Sequence, residues 1–256
     1  QKWTLFPYTT LFRSVDIAVT ANSTLSNFVP DLSVFSLPFL FDDAEQMDRA
    51  LSDPEVLDAI GGALDAQGFH LLAVFSAGTR HIMTKEPIES LADLEGLKIR
   101  TMQNPAHVDT FNAFGANATP IAYTELYGAL ETGVVDGAEA ANTNFFSQKF
   151  YEVAPDWAVV GWLELVAPVI MGKAAYEALP DDVKTALDEA GLEAGKAERA
   201  AYLASDNARF ADLEEVGVKI TRPDTTAFRE AAAPVQEKYL ETDAQKEIFE
   251  LVKSVE

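Results

Sequence analysis

Two arginines, Arg80 and Arg100, are the side chains of this sequence best suited to binding chemistry. A guanidinium presents parallel N–H donors that match the two oxygens of a carboxylate, and such a charge-assisted pair is roughly twice as strong as a neutral hydrogen bond. Arg100 closes the run Leu97-Lys98-Ile99-Arg100, a short strand pattern, and ligands of open α/β sheets bind where strands end. Arg80 follows the apolar run 69–75 and the Ser76-Ala77-Gly78-Thr79 turn signal, a second strand–loop junction. By spacing alone Arg80 reads more readily as a surface arginine in an ion pair. Thr20, Asn22, Ser23 and Thr24 cluster after the apolar stretch 15–19 and read equally as a helix cap or as a ligand-facing loop. Asp136, in the pair Asp136-Gly137, reads as a turn or cap residue rather than a catalytic acid.

Most other chemistry is missing. The sequence contains no phosphate-binding, dinucleotide, zinc-protease or nucleophile-elbow motif. It has no cysteine, so thiolate nucleophiles, disulfides and thiolate metal sites are excluded. Its 3 histidines, His70, His81 and His107, form no i, i+4 metal pair. No metal or cofactor is expected. The formal net charge of −22 argues against nucleic acid and anionic membranes as partners. No apolar run approaches the roughly 18 residues of a membrane helix.

The elements that must position the arginines are strands alternating with helices. Apolar runs at 69–75 and 159–171 have the composition of strands buried on both faces. Gly78 suggests a turn at a crossing between lobes. Asn104-Pro105 reads as the cap and first residue of a helix that ends at Gly115. Val134-Val135 reads as a strand running into the Asp136-Gly137 turn. Residues 179–213 carry one long helical pattern, long enough to brace two lobes, and two helices close the chain. Such alternation predicts a mostly parallel α/β architecture. Residues 4–14, Thr-Leu-Phe-Pro-Tyr-Thr-Thr-Leu-Phe-Arg-Ser, resemble the in-frame translation of a widely used sequencing adapter, so residues 1–14 are set aside as a non-native scar.

From residue 15 onward the chain resembles the substrate-binding proteins of tripartite ATP-independent periplasmic (TRAP) transporters, the DctP family. The resemblance rests on Ser36-Leu-Pro-Phe-Leu-Phe41, Asp93-Leu-Glu-Gly-Leu-Lys-Ile-Arg100, Gly115-Ala-Asn-Ala-Thr-Pro120, Glu125-Leu-Tyr-Gly-Ala-Leu-Glu-Thr-Gly-Val-Val-Asp-Gly137, Lys149-Phe-Tyr-Glu-Val153 and Leu179-Pro180, in this order. It implies an α/β, two-lobed periplasmic-binding-protein-like fold with a long bracing helix. The lobes are expected at 15–77 (lobe 1, incomplete), 78–165 (lobe 2), 166–205 (return to lobe 1 with the long helix) and 206–256 (lobe 2 and the C-terminal helices).

The resemblance further implies a periplasmic, monomeric solute-binding protein without enzymatic activity. It would hold a small organic acid between its lobes and deliver it to TRAP membrane subunits. Arg100 matches the family arginine that pairs with the ligand carboxylate, and Arg80 a second basic residue. Tyr123 falls at an aromatic packing position and Gln103 at a polar contact. Thr20, Ala21 and Asn22 fall on a ligand-facing loop. The sequence departs from the family in two places. An asparagine that commonly follows the family glutamate is replaced in Glu139-Ala140, with Asn142 two residues on as a substitute, or else the ligand differs. The family also usually carries a strand, a helix and a strand before residue 15. Two alternatives stand beside this reading. One is an enzyme or ligand sensor on a similar frame, with Glu139 as the single base in view. The other is a truncated, non-functional fragment.

Overall fold

The computed structural model describes residues 15–255; the adapter-like stretch lies outside them. The described chain runs β1 (Ile17–Val19), α1 (Asn22–Leu25), a 3₁₀ turn at Pro30–Ser36, α2 (Ala44–Ala50), α3 (Pro54–Asp65) and β2 (Phe69–Thr84). It continues with β3 (Lys98–Thr101), α4 (Pro105–Ala113), β4 (Asn117–Pro120), α5 (Leu126–Glu131), β5 (Gly137–Ala140), α6 (Asn142–Ser147) and β6 (Asp156–Gly172). Then follow α7 (Lys173–Glu177), α8 (Asp181–Glu215), β7 (Lys219–Thr221), α9 (Thr226–Lys238) and α10 (Asp243–Ser254).

One sheet takes the order β1-β6-β2-β5-β3-β4, with β7 paired to β6. It is mixed, which corrects the mostly parallel expectation. β3 runs parallel to β4 and β5, and β7 parallel to β6, whereas β6 is antiparallel to β1 and β2, and β2 to β5. Strand–helix alternation holds across 98–140, where short crossovers return the chain in one direction. The two long strands instead pair with each other from Phe69↔Gly172 to Thr84↔Asp156 and run through both halves of the molecule.

Gly78 is not a turn between two elements. It sits at φ 84° inside β2, where the register with β6 shifts between Ser76 and Thr79. A Cβ at Gly78 would stand 2.6 Å from the Ala141 side chain and 2.8 Å from the Tyr202 ring, so the bulge passes where only glycine fits. Arg80 is therefore mid-strand rather than at a strand end. The expected strand at 134–135 begins later, at Gly137, and the Asp136 carboxylate accepts a hydrogen bond from the Lys98 N–H at 2.8 Å.

The apolar side chains divide along the long strands. One core gathers Leu32, Phe35, Met47, Ile60, Val74 and Ile170, and the dense stretch 34–41 belongs mainly to it. Beyond the middle of β2 and β6 lie two further clusters, one around Ile82, Phe111 and Trp162 and one around Met83, Phe145 and Trp157. The last helix, α10, packs Ile248 and Val252 on the first core, whereas Phe228 of α9 lies in the second cluster.

Helix α8, 35 residues and about 50 Å long at 1.5 Å per residue, braces both halves. Leu187 packs beside Leu72 and Val169 near its start, and Leu213 joins the Phe145–Trp157 cluster near its end. Its polar side chains also complete the backbone hydrogen bonding of β2. Arg199 donates to the Val74 carbonyl at 2.8 Å, Asp48 at 2.6 Å and Ser52 at 2.8 Å, and Glu198 accepts from the Ser76 N–H at 2.8 Å. The close approach requires Gly191, where a Cβ would overlap the Leu72 carbonyl. Gly191→Ala is accordingly expected to lower stability by about 1–3 kcal/mol. Gly61→Ala on α3, facing open space, should raise it by about 0.5–1 kcal/mol. Urea unfolding of both variants checks the contrast, and equal midpoints would refute a tight α8–β2 contact.

Candidate functional site

Arg80 and Arg100 come together around one carboxylate. β5 lies between β2 and β3, and this order carries Glu139 between the two arginines. Arg80 Nε donates to Glu139 Oε2 at 2.7 Å, and its Nη2 to the Glu139 carbonyl at 3.2 Å. Arg100 Nη1 meets Glu139 Oε1 at 3.4 Å, while its Nε donates to the Ile121 carbonyl at 2.9 Å. All three residues are buried, Glu139 completely. A buried charge is tolerated when paired and hydrogen-bonded, and here two guanidiniums share one directly paired carboxylate.

The electrostatics record that imbalance. Burial works against the charge on Arg80, but the charge and hydrogen bond of Glu139, with Tyr202 and Tyr123 adding to them, more than offset it and hold the guanidinium above the ordinary arginine value. Arg100 is lowered, by burial first and further by Arg80, with Glu139 opposing in part. Two like charges compete for one counter-charge, and Arg100 is the less satisfied partner.

Tyr123 stands at the rim. Its ring lies 6.0 Å from the Arg100 guanidinium carbon, meets Phe150 edge-on at 6.0 Å, and remains 43% exposed. That is the placement of an aromatic face available to a ligand. Burial of the remainder pushes its phenol up, with Arg80 opposing.

The other expected site residues scatter. Gln103 is exposed, and its backbone carbonyl accepts from Asn27 at 3.3 Å. Thr20 and Ala21 are half-buried, Thr20 tied by its N–H to the Pro168 carbonyl at 3.2 Å. Asn22 is buried and donates to the Leu32 carbonyl at 2.9 Å and Ser36 Oγ at 3.3 Å. Asn142 makes its side-chain hydrogen bonds to other groups than the arginines. Its Oδ1 accepts from Trp157 Nε1 at 2.9 Å and its Nδ2 donates to the Asp206 carbonyl at 3.2 Å, so both ends of the amide serve buried protein groups. Ala140, completely buried, offers no polar group where the family asparagine is expected.

Sequence reasoning missed the seam beside this site. Asn104, read as a helix cap, does accept from the N–H groups of Ala106 and His107. Its Nδ2 also crosses to the Ser23 carbonyl at 2.8 Å, Ser26 Oγ at 3.1 Å and Ser36 Oγ at 3.3 Å. Ser23 Oγ in turn reaches the Met102 sulfur at 3.0 Å. One asparagine thus caps α4 and joins it to the loop region before α2. The sequence signal, Asn-Pro ahead of a helix, announces only the first role.

Among the described residues no group of three or more His, Asp or Glu side chains could hold a metal ion, and no helix is long and apolar enough to cross a membrane.

The chain is similar to known proteins over most of its length. Residues 11–243 match the family described as bacterial extracellular solute-binding protein, family 7 (DctP). A solute-binding protein of Chromohalobacter salexigens is 33% identical over 91% of this chain and 70% of its own length. The 2,3-diketo-L-gulonate-binding periplasmic protein of Escherichia coli K12 is 31% identical over 85% of this chain and 67% of its own. Among solved structures, a TRAP periplasmic solute-binding protein from Roseobacter denitrificans with bound β-D-glucuronate superposes with a TM-score of 0.90 at 31% identity, covering 97% of this chain and 84% of that one.

Proposed function

The chain belongs to family 7 of the bacterial extracellular solute-binding proteins, and from that premise we propose that it captures a small organic acid carrying a single carboxylate and hands it to a TRAP-type membrane transporter. The observation that carries this is the buried Arg80–Glu139–Arg100 group. Two positive charges meet one negative charge there, so one ligand carboxylate completes the balance. A dicarboxylate would leave its second charge without a directly placed partner. Sugar acids such as the β-D-glucuronate held by the Roseobacter relative have this single charge.

The lobes close on the ligand along the seam that Asn104 bridges. Residues 15–77 and 166–205 form one lobe, to which α10 adds its apolar face, and residues 78–165 with 206–238 form the other. As water leaves the cleft, the lower dielectric strengthens the pairing of Arg100 with the ligand carboxylate. Tyr123 packs on the ligand from the rim. The protein acts outside the cytoplasm, as a monomer, and releases its ligand unchanged. Glu139 is a poor candidate for a catalytic base because two guanidiniums hold it. The strong negative charge of the chain disfavours nucleic acid as a partner.

The test is a thermal-shift screen with glucuronate, galacturonate, acetate and succinate. A ligand at a hundredfold excess over its dissociation constant stabilises the folded state by about 2.7 kcal/mol. A sugar acid should shift the melt, succinate should not, and Arg100→Ala should abolish the shift. A cooperative melt that no acid moves would overturn the proposal.

A further inference from the structure

We propose that His81 is a positioning residue of the carboxylate site: its ring holds the strand bulge beside Arg80, which keeps the Arg80 guanidinium on Glu139 and leaves Arg100 for the ligand. The inference rests on the proposed function and adds to it a residue that acts through Arg80. Arg80 sits on a short island of regular pairing between β2 and β6. Thr79↔Glu164 and Arg80↔Leu163 are in register, and the register shifts on both sides, between Ser76 and Thr79 and between Arg80 and Ile82. Thr79 Oγ1 donates to Glu164 Oε2 at 2.9 Å across the island. The first shift is held by Gly78, closed in by Ala141 and Tyr202. At the second, the strands spend different lengths of chain. Between Arg80↔Leu163 and Ile82↔Ala158, β2 has the single residue His81 where β6 has residues 159–162. Residues in excess at a bulge are left out of the ladder, so their backbone groups need other partners.

His81 supplies one. Its Nδ1 accepts from the Gly161 N–H at 3.0 Å, and Gly161 turns the excess stretch with a φ of 61°. The ring is buried, edge-on to Trp157 at 5.6 Å and tilted against Phe210 at 6.2 Å, so its direction is fixed. Burial first, then Arg80 and Arg222, lower His81 to a pKa of about 3. The ring is therefore neutral near pH 7, with Nδ1 as its acceptor and the proton on Nε2. The other edge of β2 completes the connection. There His81 pairs with Ala140 and Ile82 with Glu139. The backbone that His81 ties to β6 is thus the backbone that carries β5 and its carboxylate.

The division of Glu139 between two guanidiniums depends on this geometry. Arg80 is bonded to Glu139 Oε2 at 2.7 Å and to the Glu139 carbonyl at 3.2 Å, whereas Arg100 stands 3.4 Å from Oε1. While Arg80 holds the carboxylate, Arg100 keeps the positive charge that a ligand carboxylate answers. Charge-assisted pairs with a planar guanidinium are geometrically specific. Releasing the bulge frees Arg80 from its line to Glu139. Glu139 then turns to Arg100 and neutralises the charge that the ligand needs.

The experiment is isothermal titration of the full chain with D-glucuronate and with D-glucuronamide, which keeps the ring and hydroxyls but carries no charge. His81→Phe keeps the aromatic packing and removes the acceptor. His81→Asn places an acceptor oxygen where Nδ1 stands, and His81→Gln carries it one bond farther out. His81→Phe and His81→Gln are expected to weaken glucuronate at least about tenfold and the amide less than about threefold. His81→Asn should restore glucuronate to within about threefold of the wild type. A second readout needs no ligand: by NMR, the Arg80 Nε–H, bonded to Glu139, should exchange with water at least about tenfold faster in His81→Phe and His81→Gln than in the wild type or His81→Asn. Each variant is checked for a cooperative melt, and His81→Phe and His81→Gln stand in for each other if one does not fold. Equal weakening of the acid and the amide would overturn the positioning role, because His81 would then support the fold alone. So would an unchanged Arg80 exchange rate, or a His81→Asn variant as weak as His81→Phe. If the wild type binds no acid while the exchange rates behave as expected, the proposed function fails and the hold of His81 on Arg80 stands.

Discussion

Replacing Glu139 by Gln is expected to cost about 3–5 kcal/mol of stability, the range found when one partner of a buried ion pair is removed. Glutamine keeps the shape and one acceptor oxygen, so packing changes little. What changes is charge. Arg80 and Arg100 would lose the carboxylate bonded to both, at 2.7 and 3.4 Å, and two buried guanidiniums would face each other without a directly paired anion. The variant should also recover part of its loss in acetate, because a small carboxylate can enter where the native one was removed. The wild type should gain less from the same acetate. Urea unfolding with and without acetate measures both quantities. A loss under about 1 kcal/mol would mean that solvent already screens the pair, as at an exposed ion pair, and the charge argument for a single ligand carboxylate would fall with it.

That prediction could not be written from the sequence, and the reason is physical. The chain has 41 acidic residues, and nothing local distinguishes Glu139 as the partner of an arginine 59 positions earlier. Only the strand order, with β5 inserted between β2 and β3, brings them together. The apolar runs 69–75 and 159–171 were legible as buried strands because burial on both faces leaves a compositional mark. Their continuation to Thr84 and back to Asp156 was not. There the chain carries Ser76, Gly78, Arg80 and His81, which read as a loop, although Ser76, Arg80 and His81 are buried polar residues of the strand. His107 escaped notice for a related cause: a buried neutral histidine on a helix looks like any residue of an apolar face. The resemblance to TRAP substrate-binding proteins supplied Arg80 and Tyr123, which spacing did not. It also suggested Asn142, whose amide the fold turns toward Trp157 and Asp206.

The same buried polar residues predict a stability maximum near pH 6.5. Burial, reinforced by nearby arginines, lowers both His81 and His107 to about 3. Their unfolded value is about 6.5. As pH falls from 6.5 toward 3, the unfolded chain takes up two protons that the folded chain refuses, so stability is lost on that side. Glu164 acts in the opposite sense. Burial raises it to about 8 against a Thr79 hydrogen bond that lowers it, with Asp206, Asp43 and Glu45 adding to the rise. Between its ordinary value of 4.5 and 8, the folded chain holds a proton that the unfolded chain has released, and stability falls as pH rises. From 6.5 to 8 Glu164 acts alone, costing about 2 kcal/mol at 1.36 kcal/mol per pKa unit. From 6.5 down to 4.5 the two histidines outweigh it by one proton, a loss of about 3 kcal/mol. Below 4.5 Glu164 no longer opposes them. Glu164→Gln should therefore flatten the alkaline side, leave the maximum as a plateau from 6.5 upward, and steepen the acid side toward a two-proton slope. Urea unfolding between pH 5 and pH 9 reads all three features. An alkaline limb that survives in Glu164→Gln would remove Glu164 from the account, and a wild-type curve still rising between pH 6.5 and 8 would show that its carboxyl meets water in the folded protein.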